Sequence, residues 1–165
     1  MRIQPLTASS FQPFGYVGRS GEGEVKSIRA DTVLLTKTPV AYEHDTQALD
    51  LALDFYDVKP AGEHLSIVQA ERHEHSAQMF VPMSVDRYLV IVWDGDPREG
   101  GKPSAFLGGP EDVVVYHPGI WHHGIIALGE RGLFASTMWR TRGGKDVEFI
   151  DLPATLELSF GSDAS

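Results

Sequence analysis

The sequence predicts an all-β fold, a sandwich or small closed barrel. Three observations predict it: many short apolar runs, often alternating with period two; turns at close spacing supplied by Gly 17 and Pro 10; and little room for helices. At 165 residues, with 42% hydrophobic and 22% charged content, the chain is long enough for one sizeable core and reads as a single domain over residues 1–165.

Thr7 to Phe11 can cap and start a short helix that Pro13 and Gly15 stop, so residues 1–20 form an N-terminal helical or edge segment anchored by Phe11, Phe14 and Tyr16. Residues 20–24 are turn-prone, 33–35 a weak short strand, and 39–45 a loop. Between Leu49 and Val58, Leu49, Leu51, Leu53 and Phe55 alternate with Asp50, Ala52, Asp54 and Tyr56, which predicts a strand with its leucine face buried. Pro60-Ala61-Gly62 closes it. Leu65 to Ala70 is a strand that carries straight into Glu71-Arg72-His73-Glu74-His75-Ser76-Ala77-Gln78, and Met83-Ser84 makes a turn after Pro82. Tyr88 to Trp93 is a fully apolar strand ended by Asp94-Gly95-Asp96-Pro97. Residues 98–110 are loop-like except for Ala105 to Leu107. Val113 to Tyr116 delivers His117 to a Pro118-Gly119 turn, Ile125 to Leu128 leads away from it, and strands follow at 133–139, 147–150 and 156–160 before a frayed tail at 161–165.

Composition excludes several functions. The net charge of -9, from 23 acidic and 14 basic residues without a basic run, would repel a phosphate backbone, so no nucleic-acid partner is expected. The absence of cysteine removes disulfides, thiol nucleophiles and Cys-type zinc sites, leaving His, Gln and carboxylates to hold any metal. Neither a signal-peptide run nor a stretch of membrane-spanning length is present, which predicts a cytoplasmic protein with no membrane partner.

The chemistry concentrates in two stretches, 71–78 and 116–123, which hold five of the seven histidines. If 71–75 is extended, Glu71, His73 and His75 share one face and Arg72 and Glu74 the other. His73, His75 and Gln78, met by His122 from the facing turn, make a candidate shell for a divalent metal such as zinc, iron, nickel or manganese. Histidines on a half-exposed strand are also common surface, and a single HxH is a weak signal; Gln78 and the second His-rich turn strengthen it. Glu71, His73, His117 and His122 are the candidate catalytic groups, since an inward carboxylate in an apolar barrel titrates nearer neutrality. Glu148 is a weaker candidate acid or base, and His123 is read as a flank of the turn. Arg72 and Arg140 can grip a carboxylate with two prongs. Gln78, Tyr116 and Trp121 complete the candidate substrate contacts.

Glu71-Arg72-His73, Gln78, Phe80-Val81-Pro82, Ala105-Phe106-Leu107, Val115-Tyr116-His117-Pro118-Gly119 and Trp121-His122-His123, with Pro5-Leu6-Thr7, Phe11 and Pro13-Phe14-Gly15 at the start, resemble the ureidoglycolate lyase family of the cupin superfamily. The resemblance spans nearly the whole chain and is weakest between about Gly18 and Ala48. It implies a single cupin-type, jelly-roll-like β-barrel with a short N-terminal helical segment, a homodimer, and cleavage of (S)-ureidoglycolate to glyoxylate and urea in allantoin and purine nitrogen catabolism. In cupin terms His73, His75 and Gln78 match the first metal-binding motif, and Gly119 with His122 the second. The sequence departs from the family pattern at His75, which well-known members lack, and at Met138 to Gly144.

Ureidoglycolate is a carbinolamide: removing its hydroxyl proton while protonating the departing urea nitrogen collapses it to an aldehyde, with no covalent intermediate. The reading is therefore a carbon–nitrogen (amidine-type) lyase, with His73 or Glu71 as base and His117 or His122 as acid. A metal-dependent cupin enzyme acting on another small hydroxy or keto acid, and a non-catalytic cupin that binds a small acid, are the alternatives.

Overall fold

A computed structural model describes residues 1–144 and 146–159, so the expected frayed tail at 161–165 lies outside the described residues. The strands are β1 (Ile3–Pro5), β2 (Gly15–Gly18), β3 (Glu24–Ile28), β4 (Val33–Lys37), β5 (Ala48–Val58), β6 (His64–Arg72), β7 (Gln78–Ser84), β8 (Arg87–Trp93), β9 (Pro103–Gly108), β10 (Val113–Tyr116), β11 (Ile126–Leu128), β12 (Gly132–Thr141) and β13 (Glu148–Ser159). The only α-helix among the described residues, α1 (Ala8–Phe11), is capped by Thr7, whose hydroxyl accepts from Ser10 N while Ser10 Oγ accepts from Thr7 N. The fold is all-β with a short N-terminal helix, as the sequence predicts.

Two sheets carry the site. One has the order β1-β9-β8-β11; the other has β2-β10-β7-β12-β5, and β6 pairs with β13. Residues 121–123 stitch β6 to β8: Glu71 and Val92 both bridge His122, and Trp93 N donates to Trp121 O. Strand β8 explains its own composition. Tyr88, Val90 and Val92 join Phe80, Phe106, Val114, Tyr116 and Phe134 in a core between the two sheets, while Leu89, Ile91 and Trp93 pack in a second core with Ile67, Ala70, Ile150 and Leu158 of β6 and β13. A strand buried on both faces has no place for polar residues.

Three local expectations change. Strand β7 runs on through Pro82 to Ser84, so Met83-Ser84 is strand and not the expected turn; β10 pairs β7 only along Gln78–Phe80, so Pro82 sits where no donor is required on that side. Residues 24–28, not expected as a strand, pair with 33–37 in a hairpin. The third concerns β5, an edge strand beside β12. Its leucine face is not buried: Leu49, Leu51, Leu53 and Phe55 are 46%, 59%, 60% and 62% exposed. Ala52 and Asp54, on the other side, are half-buried, and Tyr56, 38% exposed, sets its ring against Phe80.

Candidate active site

Strand β6 delivers Glu71 at its end, and the segment beyond delivers His73. Glu71 is fixed by the backbone of the facing turn, since its N–H donates to His122 O and its carbonyl accepts from His122 N, at 2.7 and 2.8 Å. Gly119, at φ 77°, makes the Pro118-Gly119 turn and donates its N–H to His73 O at 2.7 Å. Gln78 opens β7 and is buried, and Tyr116 closes β10 directly opposite it in the antiparallel register. Four elements thus aim side chains at one point.

Glu71, His73 and His122 offer ligand atoms that all lie within 4.8 Å of one another. The two imidazoles are 5.5 Å apart by centroid, and the His122 ring stacks on Tyr116 at 4.3 Å. His73 Nδ1 lies 2.7 Å from the carbonyl of Asp146, and His122 Nδ1 lies 2.9 Å from the carbonyl of Ile120. A carbonyl only accepts, so each Nδ1 carries the proton and each Nε2 turns a lone pair to the cavity. His73 Nε2, His122 Nε2, Gln78 Oε1 and the Tyr116 hydroxyl are all buried without a hydrogen-bond partner. Buried polar atoms left unpaired in one place mark a site for a ligand.

The electrostatics follow from burial. Burial pushes the Glu71 carboxyl up from its usual value. It lowers His73, against the Asp146 carbonyl, and pushes His122 down to about 3, with His73 adding to the shift. Tyr116 is raised by burial and then by Glu71. The cavity thus holds neutral imidazoles beside a carboxyl that exchanges its proton more readily near neutrality. Two imidazole lone pairs, one amide oxygen and one carboxylate are a donor set that fits a borderline divalent cation.

Several candidate residues stand outside this cluster. His75 leaves it because β6 ends at Arg72 and the two-residue alternation stops with it; its Nδ1 pairs with Asp45 at 2.7 Å, and its ring meets Gln47 at 3.3 Å. Arg72, by the alternation that turns Glu71 inward, faces Glu148 at 2.8 Å and Glu74 at 3.0 Å, with its guanidinium 4.7 Å over Trp121. Trp121 belongs to the second core, and Glu148 is held by Arg72. His117 is half-buried against Tyr16 and pairs with Glu43 at 3.2 Å. His123 rests its Nδ1 on the Gln69 carbonyl. Arg140 clasps both oxygens of Asp54, at 2.8 and 2.7 Å, on the inward side of β5.

Tyr56 is the residue the sequence reading missed. Its ring meets Phe80 edge-on at 5.0 Å, and its hydroxyl is raised by burial, then by the charges of Glu71 and Asp54, with Gln78 opposing through a hydrogen bond. It therefore lies beside the cluster. Its position in register with Asp54 on β5 was the available signal, hidden by the assumption that the leucine face turned inward.

A family model described as ureidoglycolate lyase matches residues 1–159. A protein of Agrobacterium fabrum named putative ureidoglycolate lyase is 34% identical over 162 residues, 94% of each chain. The ureidoglycolate lyase of Burkholderia mallei (strain NCTC 10229) is 30% identical over 96% of this chain and 93% of its own. Among solved structures, a dTDP sugar isomerase from Desulfovibrio desulfuricans G20 aligns with a TM-score of 0.49 at 20% identity, over 86% of this chain and 88% of that one.

Proposed function

Because the chain belongs to the ureidoglycolate lyase family, we propose that it cleaves (S)-ureidoglycolate to glyoxylate and urea in the cavity lined by Glu71, His73, Gln78, Tyr116 and His122. The observation that carries the choice of cavity is the convergence of four unpaired buried polar atoms beside Glu71. Neither an enzyme of another small acid nor a non-catalytic binding module is favoured by the family match.

The reaction moves one proton from the substrate hydroxyl to the departing urea nitrogen. The carbon–nitrogen pair leaves with the nitrogen, and the hydroxyl oxygen becomes the aldehyde carbonyl. Glu71 is the group best suited to carry that proton: as carboxylate it accepts from the hydroxyl, and as acid it donates to nitrogen. His122 is too weak a base to retain a proton near neutrality, so its Nε2 and that of His73 serve as acceptors that orient the substrate. The Tyr116 hydroxyl supplies the donor, and Arg140, which holds Asp54 on β5, would meet the substrate carboxylate by exchanging that partner. A divalent cation would be held by His73, His122 and Gln78 with Glu71, and would supply polarisation of the substrate hydroxyl.

We further propose a homodimer with a cytoplasmic place in allantoin and purine nitrogen catabolism, as the family resemblance implies. No described helix is long and apolar enough to cross a membrane. Urea and glyoxylate release from racemic ureidoglycolate tests the activity. Equimolar products that stop at half consumption are expected, and no turnover overturns the reading.

A further inference from the structure

His73 and His122 both turn Nε2 to the cavity, yet their rings are held by different means. Each Nδ1 donates to a main-chain carbonyl, which leaves Nε2 as the acceptor. For His122 that carbonyl belongs to Ile120, two residues away in the same turn, and Glu71 fixes the turn through both of its backbone hydrogen bonds. For His73 it belongs to Asp146, 73 residues away in the connection from β12 to β13. That connection contains Gly143 and Gly144, and a glycine pair does little to fix a backbone. Something else must hold the Asp146 carbonyl in place.

The Asp146 side chain does this. Its Oδ1 accepts from Thr141 N at 2.7 Å and from Thr141 Oγ1 at 2.9 Å, which ties the connection back to the last residue of β12. Thr141 is anchored in turn by its pairing with the buried Ala48 of β5. Gly144 closes over the clasp, where a Cβ would lie 3.1 Å from Thr141 Oγ1. On the other side of His73, Gly119 N donates to its carbonyl at 2.7 Å, so one turn fixes the main chain of this residue and another connection fixes its ring. His73 is buried, and bulk water is poorly placed to replace a lost acceptor.

We propose that Asp146 and Thr141 are positioning residues of the site: their clasp sets the Asp146 carbonyl against His73 Nδ1 and thereby fixes the tautomer of the ring, so that Nε2 meets the substrate as a lone pair and not as an N–H. The proposal deepens the lyase reading and rests on it for the role of Nε2. Asp146 acts through its own main chain, since its carboxylate is bonded to Thr141 and its carbonyl to His73. Without the clasp the carbonyl drifts, and the ring is free to turn or to take its proton on Nε2. A donor then faces the substrate hydroxyl where an acceptor is required. The same lone pair is what a divalent cation would need, so the clasp serves the site with or without one.

Both bonds from Thr141 end on one oxygen, and this makes the clasp separable from the charge. An amide offers an equivalent oxygen, so Asp146→Asn keeps both bonds, whereas Asp146→Ala loses both.

The test is the nitrogen NMR spectrum of the full chain labelled with 15N-histidine, in the presence of a chelator and at a pH above the ordinary imidazole value, with the His73 signals identified by their loss in His73→Leu. Wild type is expected to show a protonated Nδ1 and an unprotonated Nε2. Asp146→Ala should replace this pattern with mixed tautomers and lower kcat/KM by about tenfold to a hundredfold, and Asp146→Asn should recover the pattern and the larger part of the activity. The His122 signals should stay as in wild type throughout, which a general loosening of the fold would not allow. Thr141→Val removes only the Oγ1 bond and should shift the His73 pattern in the same direction by less; it decides the matter if Asp146→Ala does not fold. A wild-type His73 protonated on Nε2, an unchanged His73 pattern in the variant that decides, or an Asp146→Asn protein as altered as Asp146→Ala overturns the proposal. The spectra need no substrate, so an intact pattern without turnover of ureidoglycolate would count against the lyase reading alone.

Discussion

Glu71 Oε1 lies 3.5 Å from His122 Nε2, and the backbones of the same two residues exchange both of their hydrogen bonds. The carboxyl and the imidazole are thus set against each other by main chain, not by side-chain flexibility. If Glu71 carries the proton, Glu71→Gln keeps this geometry and removes only the proton transfer. The expected loss in kcat is about a hundredfold to ten-thousandfold, with a native circular-dichroism spectrum. Wild-type turnover in Glu71→Gln would assign the proton to another group.

The same substitution has a stability signature. The folded-state pKa of Glu71 is raised by burial, so the folded chain holds its proton to higher pH than the unfolded chain does. Stability therefore falls as pH rises from the ordinary carboxyl value through the raised one, and the cost persists at neutral pH. Glu71→Gln should melt higher than wild type at pH 7, with the difference vanishing at acid pH below the ordinary carboxyl value. Thermal melts across that range check it.

His122 works in the opposite sense. Its folded value, about 3, lies below the unfolded imidazole value of 6.5, so the unfolded chain takes up a proton that the folded chain refuses. Its contribution is intact above the unfolded value and is lost as pH falls from there toward 3. His122→Asn should flatten the acid limb of the stability profile and abolish turnover. An unchanged acid limb would place the responsible groups elsewhere.

His75 separates a sequence motif from a site. It hydrogen-bonds Asp45 outside the cluster, and a half-exposed pair of this kind contributes about 0–1 kcal/mol. His75→Leu is expected to keep kcat/KM within about twofold and to bind any metal with the wild-type stoichiometry. His73→Leu should lose that metal. Calorimetric titration of both variants with zinc, nickel and manganese decides between the HxH reading and the Glu71, His73 and His122 group.

Much of the fold was legible because local pattern and burial agree where an element is covered on both sides. Tyr88 to Trp93 could be nothing but a buried strand, and Glu71, His73, Gln78 and His122 were all nameable from spacing. Two things were hidden for physical reasons. Alternation gives a strand two faces but not which one meets the core, and on β5 the apolar row faces out while Asp54 and Tyr56 lie on the other side. Strand length is equally silent: alternation through His75 assumed that β6 continues, whereas it ends at Arg72 and His75 turns to Asp45. Tyr56 was missed for the first reason and His75 misplaced for the second.

Arg140 and Tyr56 test the mouth of the cavity. Arg140 is held by both oxygens of Asp54, and both charges act on the Tyr56 hydroxyl. If Arg140 exchanges Asp54 for the substrate carboxylate, its loss removes binding that is equal in the ground and transition states. Arg140→Ala should then raise KM by roughly tenfold to a hundredfold with a smaller change in kcat, the size of one charge-assisted contact. Lysine keeps the charge but loses the two-pronged grip, so Arg140→Lys should recover only part of the affinity. Tyr56→Phe leaves the contact with Phe80 in place and removes only the hydroxyl beside Gln78 and Glu71. Its expected effect is on kcat and on the alkaline limb of the pH–rate profile, not on KM. Steady-state kinetics on the three variants separates the roles: a kcat defect in Arg140→Ala with KM unchanged would remove Arg140 from carboxylate binding and leave it as a partner that steadies β5.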